Sequence, residues 1–396
     1  MRRVLGQTAA SPLALGPPAW MRASYWWYYA AIGAFTPFIT LYYRGLGFSG
    51  VQIGVLAAIP PVATALLAPL LGAFADTRSA HGQVLRVSLG LTALVAILLS
   101  RAAGFPQVLG LVVLLGIAIA PIPSLLDGFG VTLSERHEIP YGRLRVWGSL
   151  GYTAAVWLIG WWMGGAVTVF FLLAYAGCIL LTLGSGAGLP RITSGTSVPI
   201  LQGVSSVLGN RRLLLLLAIT YIVSTGTGMM YNYFGLYFFD IGGNARLLGT
   251  ALALTSLSEL PVMAFGGRLL HRLGPLTMLR IAIAAYIVRL AAYGTLTDPT
   301  WVLPVQLLHG LCFAMYLMAS VTLAHRLAGR ELAATAQGLL TGVSFGLGSL
   351  TGSLTGGVLL EQVGTMGIFR LATVGMVVAL AVLLTSGRTL VPRSSS

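Results

Sequence analysis

Residues 127–152 read DGFGVTLSERHEIPYGRLRVWGSLGY. Asp127 closes an apolar run that contains Pro121-Ile122-Pro123-Ser124-Leu125-Leu126. The polar turn Ser134-Glu135-Arg136-His137-Glu138 comes next, and Tyr141-Gly142-Arg143-Leu144-Arg145 opens a second apolar run. One hydrophobic span therefore holds a carboxylate and the next holds an arginine. Each such charge at the centre of a bilayer costs about 2.5 to 3.5 kcal/mol on translocon scales. A chain that keeps both is expected to pair them and to use them.

The surrounding chain sets the class. Of 396 residues, 57% are hydrophobic and only 8% are charged, against about 25% charged in a soluble domain. A helix needs about 20 apolar residues to cross a bilayer, and the apolar runs recur at intervals of roughly that length plus a short loop. The composition predicts an all-α polytopic membrane protein with twelve transmembrane helices. The net charge of +14 comes entirely from arginine. Its arginines sit in alternate loops, so it points to membrane topology and not to nucleic acid. Cys178 and Cys312 both fall inside apolar runs, which argues against a disulfide or a metal site. Met1-Arg2-Arg3 lacks a continuous apolar segment after it, and Pro17-Pro18 interrupts the stretch before the first span; a cleaved signal peptide is not expected.

Read in order, residues 1–24 form an N-terminal tail and 25–185 a first group of six spans. Residues 186–212 form a polar linker carrying Arg191, Arg211 and Arg212. A second group of six occupies 213–386, and 387–396 is a C-terminal tail whose Leu390-Val391-Pro392-Arg393 resembles part of a protease-cleavage tag. The turns after even-numbered spans carry the arginine pairs Arg78 and Arg86, Arg136 and Arg143, Arg268 and Arg272, Arg326 and Arg330. Both termini are therefore expected in the cytoplasm, in the inner membrane of a bacterium. Gly266-Gly267-Arg268 through Gly274 echoes the turn after span 2. An echo at the equivalent place predicts two pseudo-symmetric halves.

The turn from Gly72 through Asp76 and Arg78 to Arg86 resembles the signature loop of the major facilitator superfamily, although Thr77 separates the acid from the base. The resemblance implies a cytoplasmic gate at Gly72, Asp76 and Arg78. Tyr141-Gly142-Arg143-Leu144-Arg145-Val146-Trp147-Gly148-Ser149-Leu150-Gly151-Tyr152 resembles a motif of the lactose permease group of oligosaccharide and nucleoside proton symporters. That likeness implies a substrate site made by Asp127 and Arg145, with the Tyr152 ring stacking on the solute. A structural ion pair between two helices is the plainer alternative. Arg289 and Gln306-Leu307-Leu308-His309 match the group's span-9 arginine and its span-10 Lys-x-x-His, with glutamine for lysine. The group's proton-carrying glutamate is replaced by Cys312. Related permease-like proteins of the phenylpropionate type share parts of both patterns.

Asn232, polar at membrane depth among Tyr231, Tyr233, Phe234 and Tyr237, is a further cavity candidate. The aromatic run Tyr25-Trp26-Trp27-Tyr28-Tyr29 reads first as a lipid-headgroup belt, with some of its rings facing the cavity as the alternative. A thiol in apolar surroundings keeps its proton, so Cys312 cannot replace the missing carrier. Glu259 and Asp127 remain as proton carriers, with Arg289 and His309 beside them. The expectation is a proton-coupled symporter that imports a small polar organic solute, such as a sugar or nucleoside, by alternating access. Uptake of an aromatic acid and proton-coupled export stand as alternatives. Its expected partners are the solute and the bilayer, in a monomer with no cofactor beyond the proton. No Walker motif is present. Neither Gly-x-Ser-x-Gly with a partner nor His-Glu-x-x-His occurs, so enzymatic chemistry is not expected; a non-transporting receptor would be distinguished by testing for uptake.

Overall fold

The computed structural model describes residues 16–190 and 209–390. Helices α1 (Pro17–Phe35) and α2 (Ile39–Gly45) form the first span, followed by α3 (Gly50–Thr77) and α4 (His81–Leu99). The fourth span is α5 (Phe105–Ile119) continued by α6 (Ile122–Arg136); α7 (Tyr141–Met163) and α8 (Phe170–Gly186) complete the first half. The second half contains α9 (Arg211–Asp240), α10 (Ala245–Ala264), α11 (Gly266–Tyr293) and α12 (Pro299–Gln306). A π-helical turn π1 (Gly310–Ala314) then leads to α13 (Met315–Thr341), and π2 (Gly342–Gly348) leads to α14 (Ser349–Ser386).

Twelve spans emerge once three glycines are recognised as corners. Gly274, Gly329 and Gly364 have φ of 72°, 73° and 68°, a region that only glycine enters freely. Each one reverses the chain inside α11, α13 or α14. By length and apolarity alone, eight helical runs among the described residues qualify to cross a membrane. Helix α1 carries Arg22, two tryptophans and three tyrosines after Trp20, which lower its hydropathy without removing it from the bundle. Some helix starts carry side-chain caps. Ser49 and Gln52 form a reciprocal capping box on α3, and Asn210 accepts from Arg212 and Leu213 at α9.

Some boundaries differ from the sequence reading. The first helix begins at Pro17, within the segment read as a tail, because proline is tolerated in a first helical turn. Pro60, Pro61 and Pro69 all lie inside the single helix α3. Most of the 186–212 linker and residues 391–396 of the C-terminal tail lie outside the described residues.

One apolar core lies wholly in the first half, around Tyr25, Leu89, Phe129 and Ile179. The other fills the second half and reaches Phe38, Tyr42 and Phe171 of the first. The halves meet most closely at the end that carries the odd-to-even turns. There Arg44 pairs with Asp240, and Glu361 accepts from the Val51 backbone N–H at 3.1 Å. A Cβ built on Gly50 would lie 2.6 Å from the Gly357 carbonyl oxygen, and one on Gly160 would lie 2.5 Å from that of Ala245. Gly50 and Gly54 face Ser353 and Gly357, so small residues four apart let two helices approach backbone to backbone. Large apolar side chains such as Leu98, Leu114, Trp162 and Val374 point outward, as a lipid-facing surface requires.

Candidate functional site

A cavity of about 980 Å³ lies between the halves. It runs from Ile39 and Tyr43, near the closed end, to Gly72 and Gly338 at the other. Its walls are mostly apolar, with Tyr28, Thr36, Ser124, Asn232 and Gln337 as polar points. Asn232 is partly committed: its amide donates to Gly228 O at 2.9 Å and to Ser353 Oγ at 2.8 Å.

In the first half Asp127 and Arg145 do not form the expected ion pair. Among the described residues the ion pairs are Arg44–Asp240, His81–Asp76 and His309–Glu259. Asp127 Oδ1 instead accepts from the Tyr25 and Tyr141 hydroxyls, each at 2.9 Å. The Arg145 guanidinium lies over the Tyr29 ring, 3.8 Å from its centroid, and 5.7 Å from that of Tyr25. Tyrosine can serve both partners because its hydroxyl donates to an acid while its face attracts a cation. A Cβ on Gly148 would lie 2.6 Å from the Tyr29 ring, so this glycine makes room for the ring beneath the arginine. The belt reading of the aromatic run is therefore corrected. Tyr25 and Tyr28 are buried in the first-half core, Tyr25 with its hydroxyl on Asp127 and Tyr28 with its ring edge-on to Tyr29.

The second half holds a continuous polar network. Glu259 Oε1 lies 2.7 Å from His309 Nε2, and His309 Nδ1 faces Arg289 Nη1. A guanidinium only donates, so Nδ1 accepts and the ring proton sits on Nε2, directed at the carboxylate. Arg289 also donates to Gln306 Oε1 at 2.5 Å and to the Tyr293 hydroxyl at 2.7 Å. Thr255 and Tyr293 donate to the same Gln306 oxygen at 2.8 Å and 3.1 Å. Arg289, Gln306 and His309 are buried, whereas the Glu259 side chain is 22% exposed.

Two features of the chain lie at the contact of Glu259 and His309. Gly310 N donates to Ser258 Oγ at 3.0 Å, and a Cβ on Gly310 would lie 2.8 Å from the Ser258 carbonyl carbon. The missing side chain lets α10 approach the start of π1. The π turn begins directly after His309, a geometry that recurs at functional sites.

The two halves are also linked through charge. Arg289, in its own half, and Arg145, in the other half, both act on Glu259. Tyr152 lies beside Thr36 and within electrostatic reach of Glu259. The structure thus brings Arg145 and Tyr152 of the first half within electrostatic reach of Glu259, beside Arg289 and His309 and outside the lining of the large cavity, and gives Asp127 to a tyrosine cluster. Tyr25, Tyr29, Tyr141, Thr255 and Tyr293 are site partners that the sequence reading missed. Tyr293, one helical turn after Arg289, carried a usable signal; Tyr25, 102 positions before its acid, carried none.

At the gate motif, Asp76 Oδ1 lies 2.8 Å from His81 Nε2, and Arg78 sits over the Phe74 ring at 5.8 Å. Gly72 lines the cavity. The sequence pattern gives no hint of His81 as the partner of Asp76. Among the described residues, no group of three or more His, Cys, Asp or Glu side chains is placed to hold a metal ion.

The MFS_1 like family matches residues 19–371. The chain is 30% identical over 351 residues to "Maltose permease" of Geobacillus stearothermophilus, covering 87% of this chain and 89% of that protein. It is 24% identical over 316 residues to "Probable 3-phenylpropionic acid transporter" of Escherichia coli K12, covering 76% and 80%. The fold is similar to the crystal structure of nucleoside transporter NupG, with a TM-score of 0.84 at 16% identity, covering 94% and 100%. The twelve spans, the paired halves and these likenesses agree: the chain belongs to the MFS_1 like family and is a multi-pass membrane transporter of the major facilitator superfamily.

Proposed function

We propose that this transporter imports a small polar organic solute together with protons, moving a central site between the two sides by rocking one half on the other. The observation that carries the reading is the Glu259–His309–Arg289–Gln306 network inside the second half. Arg289 keeps the ring proton of His309 directed at Glu259. Arg145 acts on that same acid from the opposite half. Rocking changes the Arg145 distance, and with it the hold of Glu259 on a proton. Asp127, linked to Arg145 through Tyr25, joins that cycle as a second acid and, with Tyr152, Asn232 and His309, as a solute ligand. The cycle uses no cofactor beyond the proton and operates in a monomer.

With the arginine-rich turns in the cytoplasm, both termini lie inside a bacterial inner membrane. The closed end then faces outward, the cavity opens toward the cytoplasm, and Gly72, Asp76, Arg78 and His81 sit at the inner gate. A neutral sugar or nucleoside suits the hydroxyl and amide groups on the cavity wall, and the likeness to a maltose permease supports a sugar. A second reading, import of an aromatic acid, draws on the apolar cavity wall and on Arg145, which has no carboxylate in pairing distance among the described residues.

Uptake into proteoliposomes tests the coupling. Glu259→Gln keeps an acceptor facing His309 and removes the titrating group. It is expected to lose accumulation driven by an imposed pH gradient while retaining exchange of solute down its own gradient. Undiminished accumulation by this variant would exclude Glu259 as the carrier.

A further inference from the structure

A basic pocket lies at the far end of the second half from the Arg44–Asp240 clasp. Helix α9 fixes its place: the helix is 30 residues long, with Arg211 as its first residue and Asp240 as its last. At 1.5 Å per residue, roughly 45 Å separate the two ends. The pocket encloses about 400 Å³. Gly209, Asn210, Arg211 and Arg212 form one wall, and Arg326 and Leu327, just before the corner at Gly329, form the other.

Asn210 fastens the two walls together. Its Oδ1 accepts from the backbone N–H groups of Arg212 and Leu213 at 3.1 Å and 3.3 Å, and its Nδ2 donates to Leu327 O at 3.0 Å. One amide thus caps α9 and ties it to the residue that follows Arg326. Three guanidiniums then line one cavity, and no acid lines it with them. Among the described residues the ion pairs include none of the three. The chain offers little else to neutralise them. The segment 191–208 that leads into the pocket contains no aspartate or glutamate, and Glu331, the next acid after Arg326, follows the Gly329 corner in the next span. Like charges held on one cavity repel, and an anion placed between them relieves the repulsion.

Membrane topology asks for positive charge at this end. It does not ask for guanidiniums from two elements bracketed onto a common cavity. A guanidinium presents a planar fork of five N–H donors and grips phosphate or carboxylate oxygens two at a time. Three forks exceed what the two oxygens of a carboxylate can accept, and they suit the larger oxygen set of a phosphate. We infer that this pocket binds an anionic phosphate group, carried either by a phospholipid headgroup or by a soluble phosphate ester. In the proposed orientation it faces the cytoplasm, where basic pockets between spans meet anionic headgroups. A bound phosphate joins the seventh and tenth spans at that face, adding to the Asn210 bracket. The site is separate from the Glu259–His309 network and does not depend on which solute is carried.

Thermal unfolding of the purified full-length protein in detergent tests the inference, because a ligand of the folded state raises the midpoint by mass action. Inorganic phosphate is compared with chloride at equal ionic strength, and phosphatidylglycerol in mixed micelles with zwitterionic phosphatidylcholine. A saturable rise is expected with at least one phosphate probe. A rise with phosphatidylglycerol alone assigns the site to lipid, and a rise with inorganic phosphate assigns it to a soluble ester. Arg212→Lys keeps the charge but loses the fork, and is expected to weaken the apparent affinity about tenfold, the effect of one charge-assisted hydrogen bond. Asn210→Leu keeps every charge and is expected to weaken it several-fold by releasing the bracket. Arg212→Lys alone decides the matter if the leucine variant fails to fold. No saturable rise with either probe, or the same affinity in wild type and Arg212→Lys, would overturn the site and leave the three arginines as topological charge.

Discussion

Replacing Gly310 by alanine probes the contact that joins Glu259 to His309. The new Cβ would lie 2.8 Å from the Ser258 carbonyl carbon. Carbon atoms pack at about 3.5–4.0 Å, so α10 and the start of π1 must part by about 1 Å. Ser258 and Gly310 directly adjoin the acid and the histidine, so the 2.7 Å contact between Glu259 and His309 lengthens to about 3.7 Å, beyond hydrogen-bond reach. Overpacking of this kind costs about 1–3 kcal/mol. Losing a charge-assisted hydrogen bond adds about 1.5–3 kcal/mol. Gly310→Ala is therefore expected to lower the thermal unfolding midpoint of the purified protein and to uncouple uptake from a pH gradient, while solute exchange continues. A Gly310→Ala protein with wild-type midpoint and wild-type accumulation would refute the view that this close approach is needed.

Asp127→Asn weakens the acceptor of two tyrosine hydroxyls, and Arg145→Ala removes the cation over Tyr29. Both are expected to abolish solute binding in a thermal-shift titration while leaving the protein monodisperse; wild-type affinity in both would remove the pair from the site. Tyr152→Ala is expected to bind several-fold more weakly and Tyr152→Trp to retain binding, read by the same titration. At the closed end, the Val51 N–H holds the Glu361 carboxyl below its ordinary range, and the ordinary glutamate value is about 4.3. A depressed value means that the clasp is fully present above that ordinary value and is lost as pH falls through the lowered one. Spin labels placed across the closed end should report the same distance at pH 7 and pH 5 in wild type, and a longer one for Glu361→Gln at pH 7.

The span count and the membrane-depth charges were legible because both are local signals: apolar length for the helices, and type and spacing for Asp127, Arg145, Glu259, Arg289 and His309. Partners were less legible. Spacing and desolvation cost together suggest that Asp127 takes Arg145. In the fold a tyrosine from the first span intervenes, and it meets both demands with one side chain. Nothing within a window around Asp127 announces Tyr25. Gln306 read as a missing lysine, yet it accepts from Thr255, Arg289 and Tyr293 together, a role visible only when three helices are in place. The corners at Gly274, Gly329 and Gly364 could have been read from glycine alone, but glycine is too common here, at 51 residues, for any one to stand out.

The paired small residues at Gly50, Gly54, Ser353 and Gly357, and at Gly160, Ala245 and Gly249, bear on speed as much as on shape. Peptide groups face peptide groups along these tracks, and few rotamers have to change when one helix moves over the other. Weak Cα–H···O contacts, about 0.5–1 kcal/mol each, break and re-form as neighbouring residues slide. Such tracks act as a bearing surface with shallow friction. A single methyl added to either track would meet backbone at 2.5 to 2.7 Å and is expected to slow any movement of one helix along the other.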